Sequence, residues 1–387
     1  MNTGTGLLGW AKITLLAALL IIQNSVVAET TSKIGGTGYA DYYNYLQHNN
    51  ADQKGQNAFQ YRRIYFTYEN NLRSDIKIRF RLESKHEGYG TKAEINPFVK
   101  HAFLEWSDLV PNHSLIFGIQ ETNAFKNAES IWGYRSIEKT IMDFYKISSS
   151  ADMGFGIKGD FNKYLHHWLT VTNGTGYSSA ELDPFKKVGY AFWITPADGL
   201  IIEGYADYEK QDPDNSNTKG APSAAKDFSI STGYYTLKTT IAYEQPNFAV
   251  ALEAFSRTNK QSGIINPLTA GNELVGYDKA DVNKIGYSIF GTAITPVPRL
   301  KAFARYDYYD PNTGDNVITN FKDGTLTTGL NNEESMLVVG LDYIPAVNVH
   351  FMPNVIVTSY TAPDKKTDVL ARVTLWFNYD SGKLITE

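Results

Sequence analysis

Apolar and polar side chains alternate along much of this chain, most clearly near its C-terminus. Within residues 369–379 every second residue is apolar or aromatic, and the residues between them include Arg372 and Asn378. Successive side chains of a β-strand point to opposite faces, so this pattern predicts a strand with one apolar and one polar face. Residues 75–83 and 299–309 repeat the pattern with charges on the polar face. The chain is therefore predicted to be an all-β protein.

The same alternation predicts about sixteen strands, and a tilted strand needs about 9–11 residues to cross a bilayer. The predicted strands cover residues 34–46, 58–70, 74–86, 96–107, 113–121, 150–161, 164–173, 186–195, 199–210, 231–245, 247–259, 283–294, 298–309, 333–344, 347–360 and 367–379.

The connections between these strands alternate between short and long. This alternation is typical of an up-and-down antiparallel barrel with tight turns at one rim and loops at the other. The short connections are residues 71–73, 107–112, 162–163, 196–198, 245–246, 295–297 and 345–346, and the long ones are 47–57, 87–95, 122–149, 174–185, 211–230, 260–282, 310–332 and 361–366.

Charges at every second position of a strand must contact water, and at the depth of a bilayer water lies only inside a barrel. A soluble barrel with an apolar interior would show the same alternation, but about sixteen strands make a barrel too wide for side chains to fill. We therefore predict a transmembrane antiparallel β-barrel with short periplasmic turns and long extracellular loops. Residues 29–387 would form this single pore domain.

The first residues have the features of an export signal. Lys12 precedes an apolar run at residues 13–22, and small residues at 26–28 offer a cleavage site before Glu29. The run is too short for a membrane-spanning helix, so we predict a removable signal peptide at residues 1–28. Together with the barrel, it predicts a location in the outer membrane of a Gram-negative bacterium.

Composition narrows the classes of function. The absence of cysteine excludes disulfides and thiol chemistry. The 26 tyrosines and 20 phenylalanines suit aromatic belts at the lipid–water interfaces, so outer-membrane lipid is an expected partner. The net charge of −5 offers no basic surplus to meet phosphates, so no nucleic-acid partner is expected.

The longest predicted connection, residues 122–149, is the main candidate for a functional segment. It contains apolar residues such as Trp132 and Ile137, and a long loop of this kind usually packs against something. We predict that this third long loop folds into the lumen, with a short helix around residues 127–144; the alternative is a surface lid. An inward loop would bring a set of charged residues to a constriction, namely Lys126, Glu129, Arg135, Glu138, Lys139, Asp143 and Lys146.

A second candidate feature is the charged face of the wall. Lys77, Arg79 and Arg81 lie two residues apart on one strand, which spaces them about 7 Å apart. Such a ladder would guide anions, unless the bases simply pair with acids across the wall. The predicted pore-lining residues are Arg63, Lys77, Arg79, Arg81, Glu83, Glu105, Arg305 and Arg372, and further carboxylates of the polar faces are Glu203, Asp207 and Glu253.

Enzymatic and metal-binding interpretations have little support in the sequence. It contains no nucleophile elbow, phosphate loop or zinc-protease motif, and its histidines are scattered. We expect no catalytic activity, no cofactor and no metal in the lumen. Aspartate and asparagine at residues 212–215 and 310–315 offer oxygen ligands for a surface Ca²⁺, although simple turns have the same composition.

Four motifs resemble Gram-negative porins, and most of all the phosphate-selective porin (O/P type) family. They are Arg-Ile-Tyr-Phe at residues 63–66, Ile-Arg-Phe-Arg-Leu-Glu at 78–83, Phe-Val-Lys-His-Ala-Phe-Leu-Glu-Trp at 98–106, and Leu-Ile-Phe-Gly-Ile-Gln at 115–120. The resemblance implies a sixteen-stranded barrel, often a homotrimer, with the third loop inside. Phosphate-selective members rely on many lumenal Arg and Lys, which this chain mixes with acids.

The expected function is passive diffusion of ions and small hydrophilic solutes, biased by charge at a constriction formed by the third loop. An anion- or phosphate-selective porin is the narrower alternative. A plugged barrel with a structural or adhesive role is another. A secreted β-sandwich enzyme acting on polysaccharide is a third, and it would have to bury Ile76, Phe80 and Leu337.

Overall fold

The structure is a computed structural model that describes residues 31–85, 96–181, 184–211, 231–270, 273–314, 316–322, 325–327 and 332–381. The predicted signal peptide at residues 1–28 lies outside the described residues. So do the candidate calcium ligands at 212–215 and Asp315.

The alternating segments form eighteen strands in the described part of the chain, and sixteen of them form one closed barrel. The strands are β1 (Thr31–Gln47), β2 (Asn57–Arg73), β3 (Ile76–Lys85), β4 (Phe98–Val110), β5 (His113–Glu121), β6 (Ala151–Asn162), β7 (Leu165–Thr172), β8 (Lys187–Ala197), β9 (Leu200–Lys210), β10 (Gly233–Gln245), β11 (Phe248–Ala270), β12 (Glu273–Ile294), β13 (Leu300–Asp310), β14 (Asn320–Lys322), β15 (Thr325–Thr327), β16 (Glu334–Ala346), β17 (Val349–Tyr360) and β18 (Asp368–Asp380).

Neighbouring barrel strands are antiparallel and follow chain order, with β13 next to β16 because β14 and β15 form a separate two-stranded sheet. The barrel closes where β1 pairs with β18, from Gly35 opposite Asp380 to Gln47 opposite Val369. Every predicted strand overlaps one barrel strand. The predicted sixteen-stranded up-and-down barrel is therefore confirmed.

The exterior of the barrel is apolar and the interior is polar. On β10, Leu237 and Ile241 are exposed on the outer face, whereas Lys238 and Thr240 are buried on the inner face. This arrangement is the reverse of a soluble barrel and matches the hydrocarbon of a bilayer. Because the sheet closes on itself, the β-sandwich hypothesis is wrong. No helix in the described ranges is long and apolar enough to cross a membrane.

The predicted loop at residues 260–282 is also wrong, because β11 and β12 continue through most of it as a paired hairpin. Gly263 lies opposite Ala280, and Ile265 lies opposite Asp278. Glycine and proline at residues 263, 267, 271 and 276 make this segment resemble a loop, but strands pair through their backbones, and Ile264 adds a bridge to Ile318. The hairpin therefore extends beyond the neighbouring strands on the long-loop side.

Candidate functional site

The third long loop lies inside the barrel, as predicted. It contains two short helices, α1 (Lys126–Trp132) and α2 (Ile141–Phe144), instead of one helix around residues 127–144. Gly133 ends α1 at φ +68, and its N–H donates to the carbonyl of Glu129 at 3.1 Å. Glycine adopts this left-handed conformation without steric cost, so the chain turns there and crosses the lumen.

Apolar packing holds the loop against one side of the wall. The side chains of Trp132 and Ile137 are fully buried. The Trp132 ring lies 5.6 Å from Phe290 and 6.0 Å from Phe303, measured between ring centroids. These wall residues belong to β12 and β13. The apolar residues that marked this loop in the sequence therefore form a small core within the lumen.

Cationic side chains of the wall bind the backbone carbonyls of the loop. The carbonyl of Ile137 accepts from Arg62 at 3.1 Å and from Arg372 at 2.6 Å. Buried carbonyls cost free energy when unpaired, so each such contact stabilises the inward position. The other tethers in the described structure run from Arg62 to the carbonyl of Ser136, from Lys238 to that of Ala124, from Arg257 to that of Ile147 and from Arg305 to that of Lys139.

Arg305 and Arg372 lie behind the loop, although both are on the predicted pore-lining face. Their side chains face the interior, but the residues are only 2% and 6% exposed. Arg305 also pairs with Asp307, and Arg372 donates to Asn354 at 3.1 Å. Each arginine is thus occupied by the wall and by the loop backbone.

Two cations, Arg62 and Lys100, face the interior although the alternation pattern places them outside, because β-bulges shift the pattern. In β2 the pairing shifts between Arg63 and Tyr61, which leaves Arg62 as the extra residue. In β4 it shifts between His101 and Val99, which leaves Lys100 as the extra residue. A bulge re-aims a side chain, so both adjacent residues face inward. Alternation alone assigns Arg62 and Lys100 to the outer face.

The loop carries its own network of ion pairs. Arg135 donates to Glu129 at 2.8 Å and to Asp143 at 2.5 Å, and Lys139 lies 3.4 Å from Asp143. Burial raises the pKa of Asp143, but the charges of Arg135 and Lys139 outweigh it and hold that pKa below its ordinary value. Of the other predicted constriction residues, Lys126 pairs with Glu121 at 3.2 Å, and Glu138 accepts from the N–H of Lys139 at 3.0 Å.

On the wall, most of the predicted ladder is paired with acids. Lys77 lies 3.1 Å from Glu105, Arg79 lies 2.5 Å from Glu69, and Arg63 lies 2.6 Å from Glu83. Arg81 differs, because it donates to the hydroxyl of Thr67 at 2.8 Å and lies over the ring of Tyr65. Among the described residues no carboxylate lies within 4.0 Å of it.

Three adjacent cavities lie within the lumen. The inner cavity, near the short-turn rim, has a volume of about 190 Å³, the central one about 310 Å³ and the outer one about 610 Å³. The inner and central cavities share Thr37 and Arg81. The central and outer cavities share Lys100, Thr122, Arg135 and Ser150.

The predicted site residues divide into two groups around these cavities. Those that line a cavity are Arg63, Arg79, Arg81, Glu83, Lys126, Glu129, Arg135, Lys139 and Asp143. Those that line none of the three are Lys77, Glu105, Glu138, Arg305 and Arg372. The lining residues that sequence reasoning missed include Lys33, Lys85, Lys100, Lys187 and Arg257.

Residues 310–314, the described part of the two candidate calcium-binding segments, form a turn. The carboxylate of Asp310 accepts from the N–H of Asn312 at 2.9 Å, and the Asn312 side chain accepts from the N–H of Gly314 at 3.2 Å. Such bonds are typical of turns in which Asp or Asn binds its own backbone. In the described ranges no group of three or more His, Asp or Glu side chains is arranged to hold a metal.

Comparison with known proteins identifies the fold. Neither a protein-family model nor a curated protein sequence matches this chain. Among solved structures, the outer membrane channel DcaP of Acinetobacter baumannii is similar with a TM-score of 0.58 and 10% identity over 93% of this chain and 99% of that chain. The anion-selective porin from Comamonas acidovorans has a TM-score of 0.59 and 8% identity over 91% and 100%. The trimer form of in-vitro folded OmpT from Vibrio cholerae has a TM-score of 0.53 and 10% identity over 91% and 100%.

These similarities define a class: the chain has the fold of the outer-membrane porins. At such low identity they establish the architecture, and they do not single out the phosphate-selective type that the sequence motifs resemble.

Proposed function

We propose that this chain forms a passive diffusion channel in the outer membrane for ions and small hydrophilic solutes. The observation that carries the proposal is the row of three polar cavities beside the inward loop, in which neighbouring cavities share lining residues. The apolar exterior and the porin fold support a membrane location. Such a channel needs no cofactor, catalysis or energy input, because solutes are selected by pore size and lining charge.

The constriction is proposed to lie where the central cavity meets the outer one. Lys100 on the wall and Arg135 on the loop line both cavities. Lys100 is placed by its ion pair with Glu83 at 3.5 Å and lies 4.0 Å from the ring centroid of Tyr177. Arg135 is placed by Glu129 and Asp143. A solute that moves between the two cavities therefore passes two fixed cations.

The lining charges favour anions, although the whole chain is acidic. In the described structure twelve Lys and Arg residues line the three cavities, against nine Asp and Glu residues. A pore responds to its local charges and not to the net charge of the protein. Arg81, which has no carboxylate partner among the described residues, is one of the cations available to a passing anion. One protein of similar fold, the Comamonas acidovorans porin, is anion-selective, which agrees with this proposal.

We further propose that the protein assembles as a homotrimer. The support is the trimer form of one protein of similar fold. Cross-linking in detergent, followed by mass measurement, tests this part independently of conduction.

Single-channel conductance in a planar bilayer, with reversal potentials in a salt gradient, tests the channel. Wild type is expected to give stable single-channel current steps, and the sign of its reversal potential should show that anions are more permeant than cations. A unit charge about 6 Å from a passing ion is worth about 0.7 kcal/mol at the dielectric constant of water, a factor of about three in permeability ratio. Arg81→Gln and Lys100→Gln should each shift the ratio toward cations by about that factor.

Lys163→Gln is the matched control, since Lys163 lies exposed in the turn between β6 and β7. Unchanged reversal potentials in both lumenal variants would overturn the selectivity assignment. Silence from a folded, inserted protein would favour the plugged structural or adhesive barrel.

A further inference from the structure

A band of polar side chains is buried between α1 and the barrel wall. Thr240 lies directly opposite Glu253, and Glu253 lies directly opposite Ser288, on β10, β11 and β12. Side chains in such cross-strand pairs start about 5 Å apart and share a face. Helix α1 packs over these three strands, and Glu253 is 0% exposed.

Among the described residues, the oxygens of this band have no hydrogen-bond partner. Neither carboxylate oxygen of Glu253 is bonded, and neither are the hydroxyls of Thr240 and Ser288, nor that of nearby Thr236. Buried polar groups in folded proteins are almost always paired. An ionised carboxylate that is buried without a partner costs several kcal/mol, so Glu253 requires a compensating species.

The neighbouring cations do not form an ion pair with Glu253. Lys238 binds Glu203 at 2.7 Å, and Arg305 binds Asp307. The same two cations also donate to loop carbonyls. The wall charges that act most strongly on Glu253 are Lys238, Glu203, Arg305 and Asp307, and α1 above it carries Lys126 and Glu129. Of the two charged residues of α1, Lys126 pairs with Glu121 and Glu129 with Arg135.

Apolar packing seals the band on both sides. Ala251, two residues before Glu253 on the same face, belongs to the cluster that contains Ala128 and Ile131 of α1. Phe255, two residues after it, belongs to the cluster that contains Ala124 and Phe125 of the loop. Glu253 lines none of the three lumenal cavities. A proton needs no cavity, so it fits this site where a hydrated ion does not.

We propose that Glu253 is a proton-binding latch for the third loop. With its proton bound, the carboxyl group is neutral and donates to the hydroxyl of Thr240 or Ser288, so the loop seats over it. When pH rises and the proton leaves, an uncompensated negative charge lies beneath α1, and the seated loop is destabilised. The latch is a property of the fold. Its effect on transport rests on the proposed channel function, because the loop borders the conduction path.

Hydrogen exchange of the loop amides in the full-length protein tests the latch. Exchange of residues 122–149 is measured at about pH 5 and about pH 9, a range that spans the pKa values documented for buried Glu, and is corrected for intrinsic rates. Wild type should exchange at least about tenfold faster at the higher pH, which corresponds to about 1.4 kcal/mol. Glu253→Gln, which keeps the shape of the neutral carboxyl, should remain protected at both.

Glu244→Gln is the matched control, because Glu244 is partly exposed at the end of β10 in the same hairpin. It should behave as wild type. The proposal is overturned if the corrected exchange of wild type does not change with pH, or if Glu253→Gln follows wild type. If Glu253→Gln does not fold, the infrared carboxylic-acid band of wild type decides, since it should vanish over the same pH range.

Conductance recorded in parallel separates the two proposals. A pH-dependent loop in a silent protein supports the latch and contradicts the channel. Steady conduction with a pH-independent loop does the reverse.

Discussion

Replacing Trp132 by alanine removes the largest apolar contact between the third loop and the wall. The Trp132 side chain is fully buried, its indole N–H donates to the carbonyl of Glu138 at 3.0 Å, and the guanidinium of Arg305 lies 5.5 Å from its ring centroid. Truncation of a buried aromatic side chain to alanine costs about 3–5 kcal/mol. The strand pairing of the barrel does not involve this side chain, so the cost falls on loop docking. A loss of about 4 kcal/mol raises the displaced fraction of loop about a thousandfold.

Hydrogen exchange of residues 122–149 measures this fraction directly, and single-channel recording should show noisier, larger steps. Leu237→Ala on the outer face of β10 is the control, because it removes apolar volume without touching the loop. Wild-type loop protection in Trp132→Ala would refute the reasoning. It would show that the arginine and lysine tethers to the loop carbonyls are enough to hold the loop.

Three further changes test the tethers and the loop network, each by loop hydrogen exchange. Arg372→Gln removes one of two donors to the carbonyl of Ile137, and loss of a bond from a charged donor costs about 1.5–3 kcal/mol, so exchange should rise more than tenfold. Tyr134→Phe removes the 3.1 Å bond to Asp342 and should have a similar effect; no change would show that water replaces it. The pKa of Asp143 is lower in the seated loop than in an unfolded chain, so ionised Asp143 stabilises the loop at neutral pH and loses this effect only below about pH 4. Loop exchange should therefore rise below about pH 4 in wild type, and Asp143→Asn should abolish this rise.

The barrel was predictable from the sequence because each strand shows its lipid-facing and lumen-facing sides as an alternation of neighbouring residues. In β10 the exposed Leu237 and Ile241 and the buried Lys238 and Thr240 follow the simple period of a strand. The inward loop was predictable too, since Trp132 and Ile137 have no reason to face solvent. The hairpin beyond residue 260 was not predictable, because glycine and proline interrupt its apolar residues and leave no regular alternation. Its strands pair through their backbones, with a further bridge from Ile264 to Ile318.

The candidate site was predicted only in part, for two physical reasons. The first is that a bulge shifts the alternation by one residue, so Arg62 and Lys100 face inward against the pattern. The second is that a side chain on the lumenal face meets either water or the loop, and sequence spacing does not say which. Arg305 and Arg372 therefore looked the same as Arg81 in the sequence but hold the loop instead.

The two donors to the carbonyl of Ile137 come from opposite ends of the chain, Arg62 on β2 and Arg372 on β18. They lie close together because β1, which separates these strands in the sheet, also closes the barrel. The loop is thus synthesised long before the strand that completes its binding surface. Contacts between such distant segments form late in folding. Seating of the loop is therefore expected to follow closure of the barrel. A molecule in which the loop is seated is then one in which the barrel has already closed.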